Sequence, residues 1–451
     1  MSTSIDPVRG MRDVLPQDFA AQAGVAARLE GALAAYGYQP IDLPIVEHRD
    51  LYLRKLGEEL VGKVYEFSFS GRELALRPEW TASVLRAYVG RMQDQPLPLR
   101  LRYAGPVFRN ERPQRATYRQ FTQVGVELIG GPAPRADAEC IALACEGLRA
   151  AGVEAFRVRV GHIGLIRAVL AALGLAERTQ GLLAWSLEKM REQGVDAVRA
   201  LLDPGPPPPI DRALVEGLDD AQAEALLLHA LREMGVNLRS GTRPPEQIVG
   251  RLVRKLRRED PQPRVERALA LLERMCHIQG PPAETLPAAE SLLRAFDLPA
   301  GGLDELRAIL ELVAAHGVPA GRLVLDFGLG RGLHYYTGAI FEIYSADGLQ
   351  ICGGGRYDDL VTALGGRHPA PAVGFAYGLE RVVAASSLAL EQWPAACTVL
   401  VAAADDASYP YALQVAAALR ARGYVALADV RGRALAGNLR DAARREVGFV
   451  A

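Results

Sequence analysis

FRNERPQRATYRQFTQVGVELIG, residues 108–130, decides how the rest of this chain is read. Its second half, YRQFTQVGVELIG, reads as a strand, and the preceding LRLRYAGPVFRNE as another, joined by a loop containing Pro113 in an antiparallel hairpin. Side chains alternate faces along a strand, so Val124, Val126 and Leu128 point one way and Gln123, Gly125 and Glu127 the other. Gly125 then leaves a hole flanked by an amide and a carboxylate, a shape suited to a small ligand carrying an amine or an imidazole. The alternative is a half-exposed sheet with ordinary polar residues outward. Upstream lie Arg109, Glu111, Arg112, Arg115 and Arg119. Clustered guanidiniums offer the paired donors that phosphates and carboxylates accept, and a solvated charged hairpin is again the plainer reading.

Working outward, residues 17–37 carry apolar positions at helical spacing, and YQPIDLPIVEH reads as an extended segment interrupted by Pro44. ELALRPEW is a further strand candidate, and AECIALACEGLRAAG a helix with Asp137 near its start. Residues 163–318 are almost all helical in pattern, punctuated by the stiff DPGPPPP tract at 203–209. Strand signals return in RLVLDFGL and HYYTGAIFEIY, whereas GFAYGLERV reads as a buried, helix-like run. From Cys397 a β-α-β-α-β order begins and stops inside its third strand, as a degenerate or truncated domain would. The expected organisation is a core split into 1–160 and 321–392, a helical insertion at 161–320, and a partial α/β domain at 397–451.

Composition narrows the function classes. The chain has 451 residues, 49% of them hydrophobic, enough for two or three cores. With 52 basic and 53 acidic residues the net charge is -1, so any polyanionic partner must be met by a local patch. Five scattered cysteines form no CxxC pair and no metal-ligand spacing, which favours a reduced, cytoplasmic chain with no metal centre. Neither a signal-peptide pattern nor an apolar run of membrane-spanning length is present, so no membrane partner is expected.

Further motifs carry candidate chemistry. LRPEWTAS sets Glu79 and Thr81 two apart, hence on one face if extended; GLGRGLHYYTG supplies Arg331, Tyr335 and Tyr336. CGGGRYDDL places three glycines before Arg356, permitting close approach of backbone to a ligand, and GFAYGLERV contributes Arg381. GEELVGKV at 57–64 has phosphate-loop spacing but puts Val64 where a hydroxyl should meet magnesium. His48, His162, His229 and His277 fit no hydrolase arrangement and read as structural.

Taken in order, these motifs resemble a known family. FRNERPQRATYRQFTQVGVELIG resembles motif 2 of class II aminoacyl-tRNA synthetases, LPIVEH with Pro44 resembles motif 1, and AVGFAYGLERV motif 3. RPEWT, GRGLHYYTGAIFE and CGGGRYDDL resemble the histidine-specific branch, and the C-terminal segment the start of its anticodon-binding domain. The fold implied is α/β (α+β): an antiparallel sheet core with a helical insertion and a partial anticodon-binding-like domain. Two functions share that framework. One is histidyl-tRNA synthetase, which joins histidine to ATP and passes it to tRNA(His). The other is the regulatory subunit of ATP phosphoribosyltransferase, a histidine sensor partnered by that enzyme's catalytic subunit.

The resemblance implies roles residue by residue. Arg109 would hold the α-phosphate of ATP, Glu111 the adenine edge and Arg381 the distal phosphates, with Mg2+ arriving on the ATP. Arg331 would neutralise charge at the reacting carboxylate and α-phosphate, making Arg109 and Arg331 the catalytic pair. Glu79, Thr81, Gln123 and Glu127 would surround the histidine, with Tyr335 and Tyr336 closing the pocket. A homodimer formed around Pro44 is also implied. Three positions depart from the pattern. Thr117 replaces an arginine for the ATP phosphates, with Arg115 placed to compensate. His334 replaces an aspartate. Trp80 replaces a small residue, where its bulk is expected to crowd the histidine site.

Overall fold

The protein is described here by a computed structural model covering residues 5–53, 62–112, 115–202, 212–215, 217–234, 236, 245–256, 260–330, 335–388, 398–445 and 447–451. Its strands are β1 (Gln39–Pro40), β2 (Val46–His48), β3 (Glu66–Phe69), β4 (Arg72–Leu76), β5 (Leu99–Phe108), β6 (Gln120–Ile129), β7 (Phe156–His162), β8 (Gln279–Gly280), β9 (Leu323–Asp326), β10 (Ala339–Ser345), β11 (Gln350–Arg356), β12 (Ala372–Gly378), β13 (Thr398–Val401), β14 (Val425–Ala428) and β15 (Phe449–Val450). The central sheet runs β1-β5-β6-β12-β11-β10-β7-β9-β8, antiparallel except at the β1/β5 and β7/β9 pairs. A smaller antiparallel sheet, β2-β4-β3, lies beside it in sequence.

The arginine-rich segment is the turn of the longest hairpin, whose register runs from Leu99 opposite Ile129 to Phe108 opposite Gln120. Every residue of β6 from Val124 to Ile129 is buried, so both faces are covered and the half-exposed sheet is ruled out. On one face, Val124 pairs with Tyr377 and Val126 with Phe375, beneath the helix Arg135–Ala150. The Tyr377 hydroxyl donates to the carbonyls of Leu143 and Ala144 at 3.3 and 2.9 Å, and any side chain at Gly147 would overlap it. Val124, Val126 and Leu128 are each at most 1% exposed; such burial stabilises by roughly 1.5–3 kcal/mol per side chain.

The opposite face is paved with small residues. The registers align Tyr103, Gly125, Ala376 and Gly353 in one row and Leu101, Glu127, Gly374 and Gly355 in the next. With so little side chain on the floor, this face is where a cavity opens.

Two sequence readings change. GFAYGLERV is not one helical run: its first five residues belong to β12, which ends at Gly378, and the helix starts at Leu379. Phe375 and Tyr377 alternate with glycine and alanine, a period of two that a paired strand satisfies. Nor are Glu79 and Thr81 on a strand, because β4 stops at Leu76 and the helix Thr81–Arg91 begins at the threonine. Between β7 and β9 the described elements are helices and the two-residue β8, which pairs with β9.

The chain divides into two compact units, one of Val25–Ser387 with the N-terminal residues to Leu15, the other of Leu388–Ala451 with Pro16–Gly24. In the second, β13 is flanked in parallel by β14 and β15, with helices Tyr409–Ala421 and Leu435–Arg444 between the strands. Among the described residues, Cys140, Cys145, Cys276 and Cys352 are buried thiols, and no helix is long and apolar enough to cross a membrane.

Candidate active site

The cavity over the small-residue floor has a volume of about 210 Å³. Its walls come from the β5/β6 hairpin, the segment at Glu79 and Thr81, the tyrosines after Arg331, and the start of the helix Leu379–Ala385. These walls carry the carboxylates of Glu79, Glu111 and Glu380 together with the guanidiniums of Arg109 and Arg381.

Glu79 is 3% exposed and its Oε1 accepts the Ala82 amide at 3.0 Å, capping the helix Thr81–Arg91. Its Oε2 is buried with no hydrogen-bond partner, as is Oε1 of Gln123 nearby on the cavity wall. Burial pushes the Glu79 carboxyl above its ordinary range. Two buried acceptors without donors amount to an unfilled demand for N–H groups or a cation.

Glu127 lies behind the cavity wall, not on it. Its Oε1 accepts from Thr81 Oγ1 at 2.7 Å and from the Tyr103 hydroxyl at 3.0 Å, and the Tyr357 hydroxyl donates to its Oε2. Thr81, Tyr103 and Tyr357 line the cavity; Glu127 sets the direction of their hydroxyls from underneath. Burial holds its carboxyl well above the usual range, and the charge of Glu79 adds to the rise. The hole expected over Gly125 is filled: a Cβ there would fall 2.7 Å from the Tyr103 hydroxyl, so the glycine admits a tyrosine ring instead of a ligand.

Gly374, opposite Glu127, is required by that arrangement, since a Cβ on it would overlap the Glu127 carboxylate. Gly374→Ala is expected to lower the melting temperature by several degrees, consistent with an overpacking cost of about 1–3 kcal/mol. The control is Gly31→Ala, where a Cβ meets nothing within 4 Å. Equal melting temperatures for the two variants would show that the floor tolerates a methyl group.

Arg109 donates Nε–H to the Pro78 carbonyl at 2.8 Å, and its Cζ sits 5.3 Å from the Phe121 ring centroid. Arg381 donates to the Gln350 carbonyl at 3.1 Å and to Thr117 Oγ1 at 3.0 Å, so Thr117 steers this guanidinium. Glu111 faces the cavity and has Lys63 Nζ 3.7 Å from Oε1. Glu380 accepts the Thr122 amide with both oxygens, at 2.9 and 3.0 Å, fastening its helix to β6.

The remaining arginines of the hairpin and glycine motif do other things. Arg115 pairs at 2.8 Å with Asp347, both well exposed, and is absent from the cavity wall. Arg119 donates to the carbonyls of Glu111 and Arg9, at 3.2 and 3.1 Å, and packs on Gly10. Arg112 does not line the cavity. Arg356, 2% exposed, is clamped by Asp137, by Asp358 at 2.9 Å and by the Gly131 carbonyl at 3.1 Å. Gly354 and Gly355 serve strand-to-strand contact, leaving Gly353 on the cavity wall.

Tyr335 and Tyr336 are buried on the wall with ring centroids 4.9 Å apart, and Tyr335 meets Tyr357 edge-on at 5.6 Å. Arg331 and His334 lie outside the described residues, as do residues 57–61 of the phosphate-loop-like segment. Trp80 does not crowd the cavity. It stacks on Tyr103 at 4.8 Å and has the Arg77 guanidinium 3.5 Å from its ring centroid, and so backs the wall. His162 caps a helix by accepting the Leu165 amide at 2.9 Å and meets Glu305 at 2.9 Å, a structural use.

Sequence reasoning missed Tyr103 and Tyr357. A signal for Tyr103 existed: hairpin register sets it opposite Gly125, and an aromatic across from a glycine fills the glycine's space. Tyr357 shares the face of Gly353 and Gly355 by alternation.

Residues 10–239 and 249–382 match the family described as histidyl-tRNA synthetase. The histidine–tRNA ligase of Thermococcus kodakarensis is 33% identical over 383 residues, 84% of this chain and 74% of that one. That of Archaeoglobus fulgidus is 33% identical over 436 residues, 96% and 87% of the two chains. Among solved structures, apo histidyl-tRNA synthetase from S. aureus aligns with a TM-score of 0.58 at 25% identity, covering 99% of this chain and 90% of that one. An ATP phosphoribosyltransferase regulatory subunit/histidyl-tRNA synthetase from Bacillus halodurans aligns with a TM-score of 0.71 at 23% identity, over 100% and 99% of the chains, and shares the fold.

Proposed function

We propose that this chain, which belongs to the histidyl-tRNA synthetase family, is a cytoplasmic histidine–tRNA ligase whose cavity forms histidyl-adenylate. The observation that carries this reading is the polarity of the cavity. Buried acceptors of Glu79 and Gln123 that lack donors share one cavity wall with the guanidiniums of Arg109 and Arg381. An amino acid presents an ammonium to the first and its carboxylate toward the second, where a triphosphate meets the arginines. A cation beside Glu79 and Glu127 would favour their ionised forms, offsetting the burial that raises both.

In the reaction, a histidine carboxylate oxygen bonds to the α-phosphorus as the bond to the bridging oxygen breaks, and pyrophosphate leaves with that electron pair. A hydroxyl of the terminal adenosine of tRNA(His) then attacks the adenylate carbonyl and AMP leaves. Such substitution depends chiefly on positioning and charge neutralisation. Arg109 holds the α-phosphate, with Phe121 beside it; Arg381 takes the distal phosphates and Glu111 the adenine edge. Mg2+ enters on ATP, whose oxygens and waters supply most of its ligands. Arg331 supplies charge at the reacting centre. Glu79 and Gln123 take the ammonium, while Thr81, Tyr103 and Tyr357, set by Glu127, meet the ring under Tyr335 and Tyr336. The chain works as a homodimer, supported by exposed apolar residues on and beside the small sheet that follows Pro44: Ile45, Val46, Phe67 and Phe69 are 40–68% exposed.

The expected result is histidine-dependent ATP–pyrophosphate exchange, histidylation of added tRNA(His), and sedimentation at twice the 48.6 kDa chain mass. No exchange, with calorimetric binding of histidine but not ATP, would instead make the protein a histidine sensor.

A further inference from the structure

The N-terminal segment is fastened to the arginine-rich hairpin. Residues 8–11 form a turn in which the Met11 amide donates to the Val8 carbonyl at 2.8 Å and Gly10 takes a φ of 86°. The two carbonyls inside this turn are used by one residue. Arg119 donates its backbone N–H to the Gly10 carbonyl at 2.8 Å and Nη1–H to the Arg9 carbonyl at 3.1 Å. Just beyond the turn, the Arg12 guanidinium lies 4.1 Å from the ring centroid of Tyr118, a residue of the cavity wall.

Arg119 also reaches the opposite arm of the hairpin. Its Nε–H donates to the Glu111 carbonyl at 3.2 Å, and its own carbonyl accepts the Arg109 amide at 2.9 Å. Arg109 and Glu111 both face the cavity, so one half-buried residue joins the turn to the stretch that carries them. The fit is close: a Cβ on Gly10 would fall 2.7 Å from Arg119 Cδ and 2.9 Å from Cγ, at a φ that side chains rarely adopt. Geometry, more than charge, calls for a guanidinium here. Nε and Nη1 aim separate donors at separate carbonyls, whereas a lysine carries all its donors on one nitrogen.

We propose that Arg119 is a positioning residue for the nucleotide, using the 8–11 turn as a strap that fixes the arm bearing Arg109 and Glu111, while Arg12 packs on Tyr118 of the same wall. The inference rests on the adenylation reading for its kinetic consequence, but not for its structural one. Backbone 110 residues upstream of Arg119 thereby becomes part of the nucleotide site.

The test uses the full chain with Arg119→Ala, Arg119→Lys and Gly10→Ala. Each is expected to raise KM for ATP in pyrophosphate exchange by about 10- to 30-fold, the scale of losing hydrogen bonds from a charged group, with KM for histidine within about twofold of wild type. Arg119→Lys should fare no better than alanine. Arg119→Ala combined with Gly10→Ala should cost no more than either alone, because both cut the same connection. Peptide-resolved hydrogen exchange provides the second readout: residues 105–112 should lose protection in all three variants while residues 339–356 keep theirs. Wild-type KM for ATP in Arg119→Ala, full rescue by lysine, multiplied effects in the double variant, or unchanged protection of 105–112 would each overturn the proposal. Should the wild-type protein show no exchange activity, the adenylation reading fails and the protection of 105–112 alone decides whether the strap holds the hairpin.

Discussion

Arg109→Ala is expected to lower histidine-dependent ATP–pyrophosphate exchange by on the order of 10³-fold, the loss found when a preorganised donor to developing charge is removed. The fold should survive. Arg109 is half-buried, and its recorded backbone partner is the Pro78 carbonyl at 2.8 Å, a hydrogen bond worth about 1 kcal/mol. Histidine should still bind, with a modest penalty of predictable sign. The positive charge of Arg109 lowers the Glu79 pKa against the rise that burial imposes. Without it Glu79 is more often protonated at a given pH, so the variant's histidine affinity should fall further below wild type as pH decreases. Arg109→Lys should rescue little, because an ammonium replaces the planar donor pair. Exchange at the wild-type rate would remove Arg109 from the reaction.

Glu127→Ala is expected to be the most damaging change beneath the cavity wall. Thr81, Tyr103 and Tyr357 would lose one common acceptor, and a buried polar group left unpaired costs about 1–3 kcal/mol. A loss of stability of about 3–5 kcal/mol follows, if part of the damage relaxes. Where the variant still folds, KM for histidine should rise by about 100-fold, because hydroxyls without a fixed acceptor turn away from the ring; that factor corresponds to about 2.7 kcal/mol. Glu127→Gln separates shape from charge. Glutamine keeps one acceptor oxygen and puts an NH2 donor in place of the other, so its melting temperature should fall less than that of Glu127→Ala. An unchanged histidine KM in Glu127→Ala, read from pyrophosphate exchange, would show that this hydroxyl cluster does not recognise the amino acid.

Much of this site was legible before any coordinates. Glu79, Thr81, Gln123, Arg109, Glu111, Arg381, Tyr335 and Tyr336 were named from motifs, and the cavity wall contains all eight. The alternation along β6 assigned its two faces, and the registers of β5, β6 and β12 keep them. Misreadings arose where a local pattern had a non-local cause. Gly125 signalled an empty space, but which group fills it depends on Tyr103 across the hairpin. Arg115, Arg119 and Arg356 carried the same charge as Arg109, yet Asp347, backbone carbonyls and Asp137 engage them.

The sequence by itself determined the strand-forming alternation within 118–130, the helical character of 17–37 and 138–152, and the residue types able to bind an amino acid and a triphosphate. These follow from short-range spacing, which the backbone's two periods convert into faces. Tertiary structure alone decided that Glu127 works from beneath Thr81, Tyr103 and Tyr357, that Trp80 backs the wall, and that Arg119 holds the turn at Gly10. Each depends on groups distant along the chain meeting within about 3–5 Å, and which buried donor finds which acceptor is settled only when the strands take their register and the helices close over them.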